Sequence, residues 1–307
     1  MRLLFLLLCL LGLCCKTDKS LLVASTPNLV VIIMDGARYT ETFGDPTMQY
    51  IPGMRSLLPQ ATYSTAFYND GITNTCNGHV AITTGRYENI NNGGNELPDY
   101  PGFFQVWLKE KKRDNSKAWV ITTKDKLEVL RNCKRDGWKD LFMPASDCGN
   151  NGLFSGYRND STTYRAVLDR MQTFHPNLML VNFKEPDASG HSGSWDNYLR
   201  GIVDVDGYIA GIWQFIQSDP QYRDNTVLIA TSDHGRHSPN VADGFIGHGD
   251  ACEGCRHIHF FAIGKGIPKG KVINTRYGMP DLHATISSLM GISDPYGDGT
   301  FMVDLFE

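Results

Sequence analysis

The chain has 307 residues, a net charge of −4 and 20% charged residues. Mild acidity without a basic stripe leaves no nucleic-acid polymer expected as partner, because binding that polyanion takes clustered lysine and arginine. No internal repeat, low-complexity tract or long charge run interrupts the sequence, so the length suits one α/β enzyme domain.

Residues 1–20 read as an export leader. Met1-Arg2 is followed by an apolar run that ends in Cys14-Cys15 and gives way to polar Lys16 to Ser20. The run is too short for a membrane-spanning helix, which needs about 20 apolar residues. Cys14 or Cys15 stands where a bacterial lipoprotein carries its acylated cysteine. Leu13 precedes Cys14 where a small residue is usual, so lipidation and plain signal cleavage both stay open. The expectation is an exported chain (periplasmic, cell-surface or secreted) whose membrane contact is limited to that N-terminal anchor. Residues 21–307 are expected to form a single catalytic domain.

Asn28 to Met34 (N-L-V-V-I-I-M) is a continuous apolar run that leads straight into Asp35-Gly36. That is the pattern of a strand buried on both faces of a parallel sheet. Arg38 and Glu41 follow and read as solvated. Thr73 to Gly85 (T-N-T-C-N-G-H-V-A-I-T-T-G) puts Thr75 and Asn77 at N-cap positions ahead of a helix stopped by Gly85. A hydroxyl there faces orphan N–H groups and the positive end of the dipole, a ready site for an oxyanion, although an ordinary capping threonine has the same pattern. Gly102 to Lys112 has the spacing of an amphipathic helix, and Ala118 to Thr122 that of a short strand. Residues 131–160, rich in Gly, Asn, Asp and Cys, read as an irregular insertion carrying substrate-facing loops; Ser161 to Thr173 returns to helix.

Leu178 to Phe183 is the next buried strand and ends in Lys184 to His191, where Asp187 and His191 can converge on one ion if the segment turns. Trp195 to Ser218 is a long helix with Ile202, Val205, Ile209, Ile212 and Ile216 on its apolar side; Asp204 and Asp206 read as solvated or structural. Thr226 to Thr231 repeats the buried-strand pattern and closes on Ser232-Asp233-His234-Gly235. Ligands in open α/β sheets sit beyond the carboxyl ends of strands, so three strands ending in acidic and imidazole groups point to one shared site. His248, held between Gly247 and Gly249, is placed in a loop as a ligand would be. His259 to Ile263 is a further strand and Pro280 to Gly291 a closing helix. His237, His257, His259 and His283 read as surface or structural.

Outside the leader the cysteines are Cys76, Cys133, Cys148, Cys252 and Cys255. In an oxidising compartment Cys133 with Cys148, and Cys252 with Cys255, are the expected disulfides, leaving Cys76 unpaired. The C-x-x-C could hold zinc instead, but a four-ligand site needs a second pair, and none is near in sequence.

Collected, the candidates are Asp35, Thr75, Asp187, His191, Asp233, His234 and His248. Imidazole and carboxylate suit zinc, with manganese as the alternative. Seven donors are too many for one tetrahedral ion and suit a two-metal site, which stabilises both attacking and leaving oxygens of an in-line displacement. Thr75 needs such help, since a free hydroxyl is a poor nucleophile near neutral pH.

The ordered set Asp35-Gly36, Thr75-x-x-x-His79, Glu185-Pro186-Asp187-x-x-Gly190-His191, Ser232-Asp233-His234-Gly235 and Gly247-His248-Gly249 resembles the alkaline phosphatase superfamily. It is most similar to the nucleotide pyrophosphatase/phosphodiesterase branch, over residues 28–292. The resemblance implies a three-layer α/β/α sandwich with a mostly parallel central sheet. It implies one zinc on Asp187, His191 and His248, and another on Asp35, Asp233, His234 and the Thr75 oxygen. Thr75 would attack phosphorus and pass through a phosphothreonine. An asparagine after the Gly85-Arg86-Tyr87 segment would hold a non-bridging oxygen, and Asn95 is the nearest fit, one residue out of register. The family's T-F-P-N-H stands here as Thr75-Cys76-Asn77-Gly78-His79, which touches substrate identity more than the metal set.

The expected activity is hydrolysis of a small phosphodiester or phosphomonoester. A sulfatase reading is disfavoured, because Cys76 is not followed by the C/S-x-P-x-R pattern. A superfamily phosphotransferase or mutase is faintly echoed by Asn77-Gly78-His79. A metal-binding surface protein without activity would be expected to have lost some of the donors.

Overall fold

The computed structural model describes residues 28–306, so the leader and its cysteines lie outside the described residues. In chain order the elements are β1 (Asn28–Met34), α1 (Pro52–Leu57), β2 (Ala61–Tyr68), α2 (Thr75–Thr84), α3 (Phe103–Lys111), β3 (Ala118–Thr122) and β4 (Ala145–Cys148). There follow α4 (Asp160–Phe174), β5 (Leu178–Phe183), α5 (Asp187–His191), α6 (Trp195–Ser218), β6 (Thr226–Thr231), α7 (Glu253–Arg256), β7 (His257–Gly264), β8 (Lys271–Ile273), β9 (Tyr277–Gly278) and α8 (Met279–Met290).

The strands form one nine-stranded sheet in the order β4-β3-β5-β1-β6-β7-β2-β8, with β9 also on β2. From β4 to β6 the pairing is parallel; β7 runs antiparallel between β6 and β2. β1 lies mid-sheet and every one of its residues is buried, which is why it reads as an unbroken apolar run rather than an alternating one. Its side chains still alternate between two cores. Leu29, Val31 and Ile33 pack with α2, α3 and α8, while Val30, Ile32 and Met34 pack with α1, α4 and α6. The result is the expected three-layer α/β/α sandwich with a mostly parallel sheet. Truncating one of these central side chains to alanine costs about 2–5 kcal/mol, since a close-packed interior relaxes only partly around the cavity.

α6 shows how local chemistry sets an element. Ser194 caps it by accepting from the Asn197 N–H, Asp196 lies in its first turn, and the stripe from Ile202 to Ile216 is buried against the sheet. Asp206, on the same helix, accepts from the Met54 N–H at 2.8 Å and also from that of Gly53, so it satisfies the start of α1. That is the structural alternative read for it.

Three expectations need correction. Arg38 and Glu41 are not solvated: they form a buried two-pronged ion pair with N–O distances of 2.7 and 2.8 Å. A planar guanidinium matches a carboxylate in this way, and Arg38 also donates to the His237 carbonyl. The 131–160 stretch is not wholly irregular, because β4 adds to the sheet beside β3. Neither expected disulfide is formed: Cys76, Cys133, Cys148, Cys252 and Cys255 are all free thiols. Cys148 points across the sheet to the Val120 carbonyl, and the Cys252 and Cys255 thiols both face Asp250.

Candidate active site

Three neighbouring parallel strands deliver carboxylates to one place. Asp35 follows β1, Asp187 follows β5 and Asp233 follows β6, and all three are buried. The ladder continues past the strands: Asp35 N–H donates to the Phe183 carbonyl, and Asp187 N–H donates to the Asp35 carbonyl at 3.0 Å. Between them the chain must turn with almost no room. Gly36 has φ +72°, and a Cβ there would come within 2.8 Å of the Asp187 Cβ, so only glycine fits. Its N–H donates to Asp233 Oδ1 at 3.2 Å, which ties the first carboxylate turn to the third.

Thr75 is the first residue of α2, and the N-cap is Asn74, whose side chain makes no capping bond. Thr75 is therefore not the capping residue; its Oγ1 lies 3.2 Å from Lys124 Nζ. Gly78 lets α2 press against the end of β6, because a Cβ there would collide with the Asp233 carbonyl oxygen. Asn77, the other expected cap, instead donates to the carbonyls of Glu88 and Ile90. His79, one turn on, faces Thr75 O through Nδ1 and accepts from Asn182, which also donates to Asp35 Oδ2 at 2.9 Å.

The donors fall into two clusters. In one, His191 Nε2 is 3.1 Å from His248 Nε2, and these nitrogens lie 3.4 and 3.5 Å from Asp187 Oδ1. In the other, His234 Nε2 is 3.6 Å from Asp35 Oδ1 and 3.5 Å from Asp233 Oδ2. Ligands at 2.0–2.2 Å around a tetrahedral cation stand about 3.3–3.6 Å apart, so both clusters have the right span. Asp233 Oδ2 and His234 Nε2 are buried without a hydrogen-bond partner among the described residues, a pairing that a divalent cation completes.

Two imidazoles are set for such a role. His234 Nδ1 donates to the Gly235 carbonyl and His248 Nδ1 to the Thr73 carbonyl, which leaves both Nε2 lone pairs facing the cluster. Burial holds them neutral, lowering His234 to about 3 and His248 to about 4. His191 is different. It is exposed, and Arg236 Nη2, which can only donate, lies 3.2 Å from its Nδ1, so the Nε2 proton points at His248. A cation on His191 Nε2 would replace that proton.

Lys124 and Arg236 went unread in the sequence. Lys124 follows β3 and places its Nζ 2.9 Å from Asp35 Oδ1 and 2.7 Å from Asp187 Oδ2 as well as against Thr75. Burial alone would lower its pKa, but Asp187, Asp35 and Asp233 outweigh that and raise it, so it is a fixed cation. The signal was available: Thr122-Thr123-Lys124 is a fourth buried strand end beside the other three. Arg236 is fully buried, pairs with Asp187, and donates to the Phe245 and Ile246 carbonyls. Asn95, the expected oxyanion asparagine, is exposed. Asn92 is the one that reaches α2: its Oδ1 accepts from the Cys76 N–H at 2.9 Å and from the buried Lys126 Nζ at 3.1 Å. Burial raises the Cys76 thiol, which keeps it protonated.

Residues 29–246, well over half of the chain, match the family described as type I phosphodiesterase / nucleotide pyrophosphatase; the match stops two residues before His248. Among solved structures, the phosphonate monoester hydrolase SpPMH from Silicibacter pomeroyi superposes with a TM-score of 0.66 at 13% identity, over 92% of this chain and 76% of that one. Murine ectonucleotide pyrophosphatase/phosphodiesterase 5 gives 0.63 at 16% identity, over 91% of this chain and 100% of that one. A 2,3-bisphosphoglycerate-independent phosphoglycerate mutase of Ureaplasma urealyticum is 34% identical over 62 residues, 20% of this chain and 11% of the mutase. The chain thus spans about a tenth of that curated relative. The structural likeness speaks for an alkaline phosphatase-like fold. The chain belongs to the family described as type I phosphodiesterase / nucleotide pyrophosphatase.

Proposed function

We propose that the chain hydrolyses a small phosphate ester, a diester first and a monoester second, by attack of the Thr75 hydroxyl on phosphorus. The observation that carries this reading is the hydroxyl at the start of α2 sharing Lys124 with Asp35 and Asp187, between two clusters of cation-ligand span. Asp187, His191 and His248 would hold one cation; Asp35, Asp233, His234 and the Thr75 oxygen would hold the other. Zinc fits this nitrogen–oxygen set best, with manganese second. Bound there, the cations would supply Lewis-acid chemistry, lowering the pKa of a coordinated hydroxyl and neutralising charge on the reacting oxygens.

The protein's own groups account for the rest. The Thr75 oxygen forms a bond to phosphorus as the ester bond on the opposite side breaks, and water then cleaves the phosphothreonine and restores the hydroxyl. Lys124 offers an N–H to the phosphoryl group beside Thr75, and the α2 N-terminus adds the positive end of its dipole. Asn92 replaces Asn95 as the asparagine nearest this point, and it steadies the first turn of α2 through Cys76 N–H. Two dications added to three carboxylates, Lys124 and Arg236 leave the centre net positive, which suits an anionic ester. Export, with or without an acylated Cys14 or Cys15, is part of the same proposal, as is residues 21–307 acting as one catalytic domain.

The test is Thr75→Ala against p-nitrophenyl phosphate, its phenylphosphonate and bis(p-nitrophenyl) phosphate. Activity should fall at least about 1,000-fold, the scale of removing an attacking group. Acid-quenched wild type should carry one phosphoryl group on the peptide containing Thr75. Retained hydrolysis in Thr75→Ala defeats the nucleophile assignment, and no hydrolysis in either form with cations bound favours a binding protein. The mutase match favours a second reading, in which Thr75 passes its phosphoryl group to an alcohol; added alcohols would then divert product from phosphate to ester.

A further inference from the structure

We propose that His237, Asp250, Cys252 and Cys255 form a further zinc site, separate from the two catalytic clusters, that clamps the loop carrying His248. A His237 ring nitrogen, an Asp250 oxygen and Cys255 Sγ all lie within 4.8 Å of one another. The Cys252 thiol lies beside both Cys255 and Asp250, outside that trio, and would turn in as the fourth donor. Two thiolates with an imidazole and a carboxylate form a closed, soft-leaning set that suits zinc better than the harder divalent cations. The second pair of donors that the C-x-x-C lacks in sequence is supplied from across the loop.

His237 Nδ1 lies 2.6 Å from Asp243 Oδ1, and its Nε2 faces Asp250 Oδ2 at 3.4 Å. With Nδ1–H given to Asp243, a cation would take the Nε2 lone pair and the Asp250 oxygen together. The carboxylate behind the imidazole is the arrangement that orients metal-bound histidines. Cys252 N–H donates to Asp250 Oδ1 at 2.9 Å, and the turn closed by Cys255 N–H on the Cys252 carbonyl at 3.1 Å brings the two thiols to one side. His237 and Cys255 themselves are buried.

The placement gives the site a purpose. Residues 235–256 leave β6 at the catalytic end, carry His248 back to the catalytic cluster and enter β7 through α7. The two arms are already pinned by Gly235 N–H to the Cys255 carbonyl at 2.7 Å and Arg236 N–H to the Gly254 carbonyl at 3.0 Å. A metal bridging His237 on one arm to Asp250, Cys252 and Cys255 on the other would lock that pairing and fix where His248 emerges.

Cobalt(II) separates this site from the catalytic ones, which hold no thiolate. The full chain, stripped of metal under reducing conditions and titrated with cobalt(II), should develop a thiolate-to-cobalt charge-transfer band that reaches its plateau by the time the two catalytic sites and this one are filled, with an intensity set by one thiolate-bound cobalt per chain. Thr75→Ala and Asp233→Asn should keep the band, so its fate is independent of whether the chain is a phosphoesterase. Cys252→Ser and Cys255→Ser should abolish it, and Asp243→Asn should weaken cobalt binding there by roughly 10- to 100-fold. Should a cysteine variant fail to fold, the wild-type spectrum still decides. No charge-transfer band with all thiols reduced overturns the proposal, as does a Cys252–Cys255 disulfide in the unreduced native protein.

Discussion

His234 and His248 enter the site as neutral bases, and that choice has a cost in acid. Burial lowers them to about 3 and about 4, whereas an unfolded histidine titrates near 6.5. Between those values the unfolded chain binds protons that the folded chain refuses, so stability rises with pH there and is lost as pH falls from about 6.5 towards 4. Each histidine contributes about 1.4 kcal/mol per pH unit inside that window and nothing further above it. Urea midpoints of the metal-free protein should therefore fall steadily from pH 7 to pH 5, and His248→Gln should flatten the slope. A slope unchanged in that variant would mean that His248 is not buried neutral. These two histidines were legible because each stands next to a glycine at a strand end or loop. Lys124 and Arg236 were not, because nothing local marks them: their role comes from carboxylates that are distant in sequence, and a lysine after a strand is usually solvated. Asn95 stands exposed; counting residues through a loop fixes no direction for a side chain.

α2 meets the chain just past β6 at a tight point, Gly78 against Asp233, and the catalytic proposal depends on it. Gly78 is wholly covered by the Asp233 carbonyl oxygen, which belongs to the backbone and cannot swing aside. Gly78→Ala should therefore push α2 off the sheet, at about 1–3 kcal/mol for overpacking. Because Thr75 rides on that helix, kcat should fall more than 10-fold even though no reacting group has changed, in line with the sensitivity of catalysis to small misplacements. A variant as stable and as active as wild type would show that the contact is loose. The same contact bears on the departure from T-F-P-N-H, for at this position any side chain meets backbone. Element by element, β1, β3, β5 and β6 were legible because a strand buried on both faces must be apolar throughout. β2 escaped notice: Ala61–Tyr68 mixes small, polar and aromatic residues, has a bulge between Ser64 and Phe67, and pairs antiparallel with β7. β8 and β9 are too short to leave a pattern.

On the scale of the molecule, the proposed cations join parts of the chain that the sheet alone holds loosely at their ends. One cluster draws on the ends of β1 and β6 and the start of α2; the other draws on α5 and the 235–256 loop. Apart from the sheet, Lys124 bridges Asp35 of one to Asp187 of the other, and with Arg236 it balances only part of the buried negative charge. A cation bound to the folded chain and not to the unfolded one stabilises it by RT ln(1 + [L]/Kd), about 2.7 kcal/mol at 100 times Kd. For a chain of this size each kcal/mol moves the melting temperature by about 2 °C, so filling both catalytic sites is worth roughly 10 °C. Chelation should lower the melting temperature by about that amount and abolish hydrolysis, and zinc should restore both. Asp233→Asn, which weakens one cluster, should halve the shift while leaving the metal-free melting temperature nearly unchanged. Equal melting temperatures with and without chelator, in a chain that still hydrolyses esters, would mean that the buried carboxylates serve Lys124 and Arg236 alone and that the chemistry runs without the cations.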